Sequence, residues 1–293
     1  MTSAPSYLPV VLSLVSAFMF ALSIQCQNMG LQEGEPRTGA MIGVVASALA
    51  YWVFAPFVVQ AGWWLTWGTV LFCIVGLFRP SVSSSLAMAS VRRMGPTLTS
   101  GLTATTPIFA AGTAMILLGE RLTPMTAAGT LFVVAGIAVI ALRPGGVARS
   151  FPLWALALPL GAAFFRALGH PITKLGYDSV ASPFFAGLVS NTVSALVLLA
   201  TLQVRKATIT GGVASYRWFI AAGLINAASL YSLNLALAHG PLLVVAPIVA
   251  SSPVFVMLLG LLVFRKETIT WRTVATIALV VPGVMLVAMN GPG

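Results

Sequence analysis

Ten apolar runs of about twenty residues, joined by connections too short to hold a domain, leave this chain almost no choice of fold. The runs fall near 8–29, 40–60, 67–91, 97–118, 123–142, 152–174, 183–204, 217–238, 242–264 and 270–289. In hydrocarbon every backbone N–H and C=O must find its partner inside the protein, so such runs are helices or strands of a closed barrel. A barrel would show short alternating segments, whereas these runs are continuous. The expected class is therefore an all-α polytopic membrane protein with ten transmembrane helices, seated in a lipid bilayer. Composition agrees, because 59% of residues are hydrophobic and 7% charged, too few charges for a soluble surface of this size. The first run follows no basic segment and precedes no cleavage site, so it is expected to stay as a span.

An internal repeat sharpens the fold. Gly95-Pro96 recurs as Gly240-Pro241, 145 residues on, and Thr106-Pro107-Ile108-Phe109 as Ser252-Pro253-Val254-Phe255, 146 on. Gly119-Glu120 is echoed by Lys266-Glu267, 147 on, and Ser16 to Phe20 by Gly161 to Phe165. The chain thus divides into repeats at 1–146 and 147–293, each five helices long. An odd number of spans per repeat turns the second half upside down relative to the first. That is the inverted-repeat plan of secondary transporters, whose solute site lies near the midplane where the halves meet.

Lysine and arginine outnumber aspartate and glutamate by 15 to 5, but they stand singly or in pairs between apolar runs, so no nucleic acid is expected as a partner. Two exceptions sit inside runs. Arg79 and Arg166 fall near the centres of the third and sixth spans, where an arginine costs about 2.5–3.5 kcal/mol unless a polar cavity or partner receives it. Their counterparts in the other half, near Ile225 and Ala21, are apolar, which favours a functional role over a shared structural one. The plainer alternative is that each braces carbonyls freed at Pro80 or Pro159. If they line a cavity, the guanidinium fork suits a carboxylate, hence amino acids or other organic anions. His170 follows Arg166 by one turn, on the same face, and could hydrogen-bond solute or couple transport to pH.

Phe18, Phe20, Phe78, Phe164, Phe165 and Tyr231 are candidates for the apolar part of a pocket, and Ser83, Thr103, Thr106 and Asn234 for its hydrogen bonds. Ordinary helix packing explains any one of them equally well. Pro107 and Pro253 occupy equivalent points in the fourth and ninth helices and suit hinges, with Pro171 a third. The five acidic residues, Glu33, Glu35, Glu120, Asp178 and Glu267, all fall at helix ends or loops, so a buried carboxylate is not expected to carry protons. Glu120 and Glu267 read as caps at helix junctions. There is no cluster with metal-ligand spacing, no phosphate loop and no nucleophile–base pair, so neither metal, cofactor nor enzymatic reaction is expected.

The order of these features resembles the EamA-type permeases of the drug/metabolite transporter superfamily over essentially the whole chain. The residues are Ser85 to Ala89, Pro107 and Gly119-Glu120-Arg121-Leu122-Thr123 in the first half, and Leu233 to Leu237, Pro253 and Glu267-Thr268 in the second. Lys174 stands where that family often has a lysine closing the first helix of a half, and Asn28 replaces it in the first half. The layout is most similar to the amino-acid and metabolite exporters, the aromatic amino-acid exporters among them. The resemblance implies export of a small solute without naming it; together with the arginines, the expected function is export of an amino acid, by a monomer in the inner membrane. Exporters of other organic solutes or drugs stand next, ahead of an intramembrane enzyme or a non-transporting receptor. Loop charges place both termini outside, whereas the family arrangement places them in the cytoplasm.

Overall fold

The computed structural model describes residues 7–94, 96–141, 152–204, 212–263 and 270–289. These form thirteen α-helices arranged as ten membrane spans. The first half contains α1 (Leu8–Gly30), α2 (Pro36–Val58), α3 (Trp67–Leu77), α4 (Ser83–Met94), α5 (Pro96–Thr103), α6 (Thr106–Leu118) and α7 (Pro124–Ala141). The second contains α8 (Ala157–Gly176), α9 (Pro183–Val204), α10 (Val213–His239), α11 (Leu242–Ala250), α12 (Ser252–Leu262) and α13 (Trp271–Met289). The excess of three helices over ten spans comes from three breaks. Glu267, Gly95 and the loop cations Arg143, Arg149, Arg205, Lys206, Arg265 and Lys266 lie outside the described residues.

The third span breaks where the sequence placed Arg79-Pro80. A kink over Phe78–Val82 joins α3 to α4, and Arg79 inside it has an extended backbone (φ −117°, ψ 116°). Proline has no N–H to continue the ladder, and carbonyls before it lose their partners. Ser194 of α9 recovers two of them, its Oγ donating to Gly76 O at 3.0 Å and to Arg79 O. The fourth and ninth spans were expected as single helices. Each is split just before its proline, because Pro107 and Pro253 are the second residues of α6 and α12. The carbonyl that Pro107 strands, Thr103 O, accepts from Thr106 Oγ1 at 2.7 Å.

The two inverted five-helix halves reproduce each other's contacts. α1 packs on α10, as α8 packs on α3 and α4; α2 packs on α10, as α9 packs on α3; α2–α9 and α7–α13 are each their own image. Single hydrogen bonds obey the same exchange. Ser83 Oγ donates to Ala162 O at 3.0 Å, and 146 residues on Ser229 Oγ donates to Ser16 O at 2.8 Å. Ser194 Oγ to Gly76 O has its image in Ser47 Oγ to Gly223 O at 2.6 Å, with an offset of 147.

The change of offset locates the source of the third-span break. From Gly76 to Ser83 is seven residues, whereas from Gly223 to Ser229 is six. The first half therefore carries one extra residue where α10 runs unbroken, and Arg79 lies in the kink that accommodates it.

Without a hydrophobic force between helices in lipid, small residues supply the close approach. A Cβ on Gly129 would lie 2.6 Å from Gly283 O, and one on Gly283 would lie 2.8 Å from Gly129 O. Gly129 and Gly136 are thus packing residues of the α7–α13 pair, and Thr276 Oγ1 donates to Gly136 O at 3.1 Å across it.

Candidate functional site: a central cavity with one cationic wall

A cavity of about 1190 Å³ lies between the halves, walled by α1, α2, α3, α8, α9 and α10 and by the broken fourth and ninth spans, with α7 and α13 at one end. Arg79, Arg166 and His170 all line it. On α8 the residues at steps of four and three, Arg166, His170 and Thr173, share the face turned inward. Arg166 is exposed into the cavity, while Arg79 and His170 are half-buried. Arg79 reaches across α8 at Gly169, where an added Cβ would come within 2.8 Å of its Cδ. The missing side chain at Gly169 leaves room for the Arg79 stem against α8.

Neither guanidinium has an ion-pair partner among the described residues, whose salt bridge is Lys174–Glu120. Several surrounding polar groups present acceptors, while a third guanidinium, Arg272 at the start of α13, lines the cavity apart from the other two. Ser83, Thr103 and Thr106 line the cavity while spending their hydroxyl protons on backbone carbonyls, Thr103 on Thr99 O at 3.0 Å. Asn191 gives its amide Nδ2 to Gly187 O at 2.8 Å and Asn234 its Nδ2 to Pro183 O at 3.3 Å, leaving each amide oxygen without that duty.

The sequence singled out Asn234 but passed over Asn191 and Asn226, which also line the cavity. An asparagine inside an apolar run is costly enough to have been a signal in all three cases. The rings fared differently. Phe78, Phe164, Phe165 and Tyr231 are not among the residues that line the cavity. Phe165 stacks between Phe78 (5.5 Å) and Phe164 (5.6 Å), Phe164 meets Phe109 edge-on, and Tyr231 meets Phe184. The reason is the helical step of about 100°, which turns residues 164 and 165 away from the face carrying Arg166 and His170. Of the six expected rings Phe20 lines the cavity, and Phe18 on the same helix does not. Of the prolines, Pro107 and Pro253 line the cavity beside their breaks, and Pro171 is buried within the continuous α8.

The two ends of the cavity differ. Ten spans put both ends of the chain on one face. Ile137 near the end of α7 and Thr270 to Thr273 at the start of α13 belong to the opposite face, and they line the mouth. The terminal face is shut by a junction between the halves. Glu120 accepts from the N–H groups of Leu242 and Leu243, both at 2.8 Å, and so caps α11 with its two oxygens. Lys174 Nζ, at the end of α8, donates to Glu120 Oε1 and to Gly240 O, each at 2.8 Å. Beneath this junction Ala110, Ala114, Ala167, Leu237 and Leu242 close an apolar plug. The capping role read for Glu120 is met here.

The family model for EamA-like transporters matches residues 8–142 and again 153–289. The chain belongs to the EamA-like transporter family. The protein is thus a multi-pass membrane transporter of the drug/metabolite transporter superfamily, a family of carriers rather than enzymes. A solved crystal structure superposes with a TM-score of 0.76 at 15% identity, covering 98% of this chain and 100% of its own, which shows the same fold. No curated protein sequence matches the chain.

Proposed function

We propose that this EamA-family carrier exports a small carboxylate-bearing metabolite, an amino acid foremost, by alternating access around the central cavity. The carrying observation is the pair Arg79 and Arg166, which line the cavity with no acidic partner among the described residues. Two cations so placed call for an anionic group from the solute, and a guanidinium grips a carboxylate through two parallel hydrogen bonds. The oxygens of Asn191 and Asn234 suit the ammonium of an amino acid. The repeats 1–146 and 147–293 move as the two halves, with the breaks before Pro107 and Pro253 as hinges. With the termini in the cytoplasm of an inner-membrane protein, the cavity mouth is the releasing side and the Glu120–Lys174 junction the closed intake. The working unit in this reading is a monomer.

The test is uptake and counterflow in proteoliposomes with a panel of radiolabelled amino acids. Arg166→Ala and Arg79→Ala are each expected to lower transport at least tenfold, because a charge-assisted pair contributes about 1.5–3 kcal/mol. Unchanged transport in both variants would remove the arginines from the solute site. A lasting chemical product in place of transport would favour an intramembrane enzyme.

A further inference from the structure

The repeat makes each wall of the cavity the image of another, and the images differ in polarity. The paired hydrogen bonds of Ser83 and Ser229 match Ser16 to Ala162 and correct the sequence alignment by one residue, so at this offset of 146 Arg166 on α8 corresponds to Phe20 on α1 rather than Ala21, and His170 to Ile24. At the offset of 147 fixed by Ser47/Ser194, Asn191 on α9 corresponds to Val44 on α2. All six residues line the same cavity. A symmetric scaffold thus presents a cationic, hydrogen-bonding wall from α8 and α9 and an apolar wall from α1 and α2. Phe20 and Ile24 are turned toward the cavity although lipid was available to them, while Phe18 on the same helix packs edge-on against Phe255 at 6.0 Å.

We infer that this broken symmetry orients the solute and sets its class: an amphipathic carboxylate, with its acid group on the α8 wall and an apolar or aromatic body against Phe20, Ile24 and Val44. The inference rests on the carboxylate reading above and adds to it the specificity residues. Phe20 is the principal one, since as the image of Arg166 it faces the acid site across the pseudo-two-fold. A solute with a polar body forfeits the apolar contact and leaves those three side chains against a polar surface.

The experiment uses the full-length protein in proteoliposomes and three probes of one head group and growing apolar body: L-alanine, L-leucine and L-phenylalanine. KM is expected to fall along that series in the native protein. Phe20→Ala should raise KM for phenylalanine about tenfold while changing that for alanine less than about twofold. Phe20→Leu, which keeps most of the bulk, should lie between, so that a folding failure of the alanine variant does not remove the readout. Phe18→Ala, off the cavity, should leave the series as it was. A series that is flat in the native protein, or that keeps its slope in both Phe20 variants, overturns this inference while leaving the carboxylate reading standing. Transport of none of the three, nor of any other carboxylate in the panel, overturns both.

Discussion

At the scale of single residues the site depends on side chains that are missing as much as on those present. Gly169 stands between Arg166 and His170 with the Arg79 stem across it, and a Cβ there would sit 2.8 Å from Arg79 Cδ. That separation is shorter than real Cβ contacts, so Gly169→Ala must shift the arginine. Helix propensity alone would make the change favourable by about 1 kcal/mol. The expected outcome is therefore a split: Tm unchanged or raised, and solute affinity lowered, with Gly169→Val more severe. Thermal-shift and counterflow measurements on the same preparations check it; affinity unaffected by Gly169→Val would show that Arg79's path is irrelevant to solute. The two arginines were legible in the sequence because a charge in an apolar run violates the solvent it sits in. Asn191 and Asn226 were less so, because an asparagine on a helix reads equally as packing. The misplaced Phe78, Phe164, Phe165 and Tyr231 show the limit of proximity in sequence. Neighbours of Arg166 along the chain point elsewhere, and its true counterpart, Phe20, lies 146 residues away.

At the scale of elements, half-helices do the positioning. The ninth span begins with the half-helix α11, whose N-terminus lies on the terminal face, and the Glu120 carboxylate satisfies two of its N–H groups. This single side chain joins the α6–α7 connection to α11, and through Lys174 to α8. Glu120→Ala removes both caps and leaves Lys174 with only Gly240 O among the described partners, a loss of about 1–3 kcal/mol. A fall in Tm is expected, together with recovery of part of it in Glu120→Gln, which keeps one acceptor. Equal Tm in native protein and Glu120→Ala would mean the junction contributes nothing. The spans themselves were readable from apolar length, and the break at Arg79-Pro80 from its proline. The breaks before Pro107 and Pro253 were not, since a proline at the second position of a helix is compatible with the start of a helix or with a kink inside one. Only the neighbouring hydroxyls, Thr105, Thr106, Ser251 and Ser252, hint that the ladder stops there.

At the scale of the molecule, the proposed alternating access makes this structure one end of a cycle whose other end the repeat implies. The mouth lies on the face opposite the termini, and the floor is Ala110, 1% exposed, packed under the Glu120–Lys174 junction. Inverted halves reach the opposite state by exchanging conformations, so what holds the terminal face shut must open there. The kink shows how far the exchange departs from strict symmetry. One residue added between Gly76 and Ser83 interrupts the third span at Arg79, whereas α10 runs unbroken through Asn226, and both residues line the cavity. The drift of the repeat offset between 145 and 147 carried that insertion in the sequence, yet only paired hydrogen bonds locate it. Accessibility of a cysteine at Ala110, in a background with Cys26 and Cys73 replaced by serine, follows the cycle directly. With the junction intact, a membrane-impermeant thiol reagent is expected to label it from the face opposite the termini and far more slowly from the terminal face. Adding Glu120→Gln weakens the junction's charge and should shift the population toward opening on the terminal face. A weakening of about 1.4 kcal/mol corresponds to a tenfold change in the ratio of the two states. Labelling from the terminal face should rise accordingly, and saturating carboxylate solute should slow labelling from either side. Labelling rates from the terminal face that stay the same with and without Glu120→Gln would place the closed gate elsewhere in the molecule.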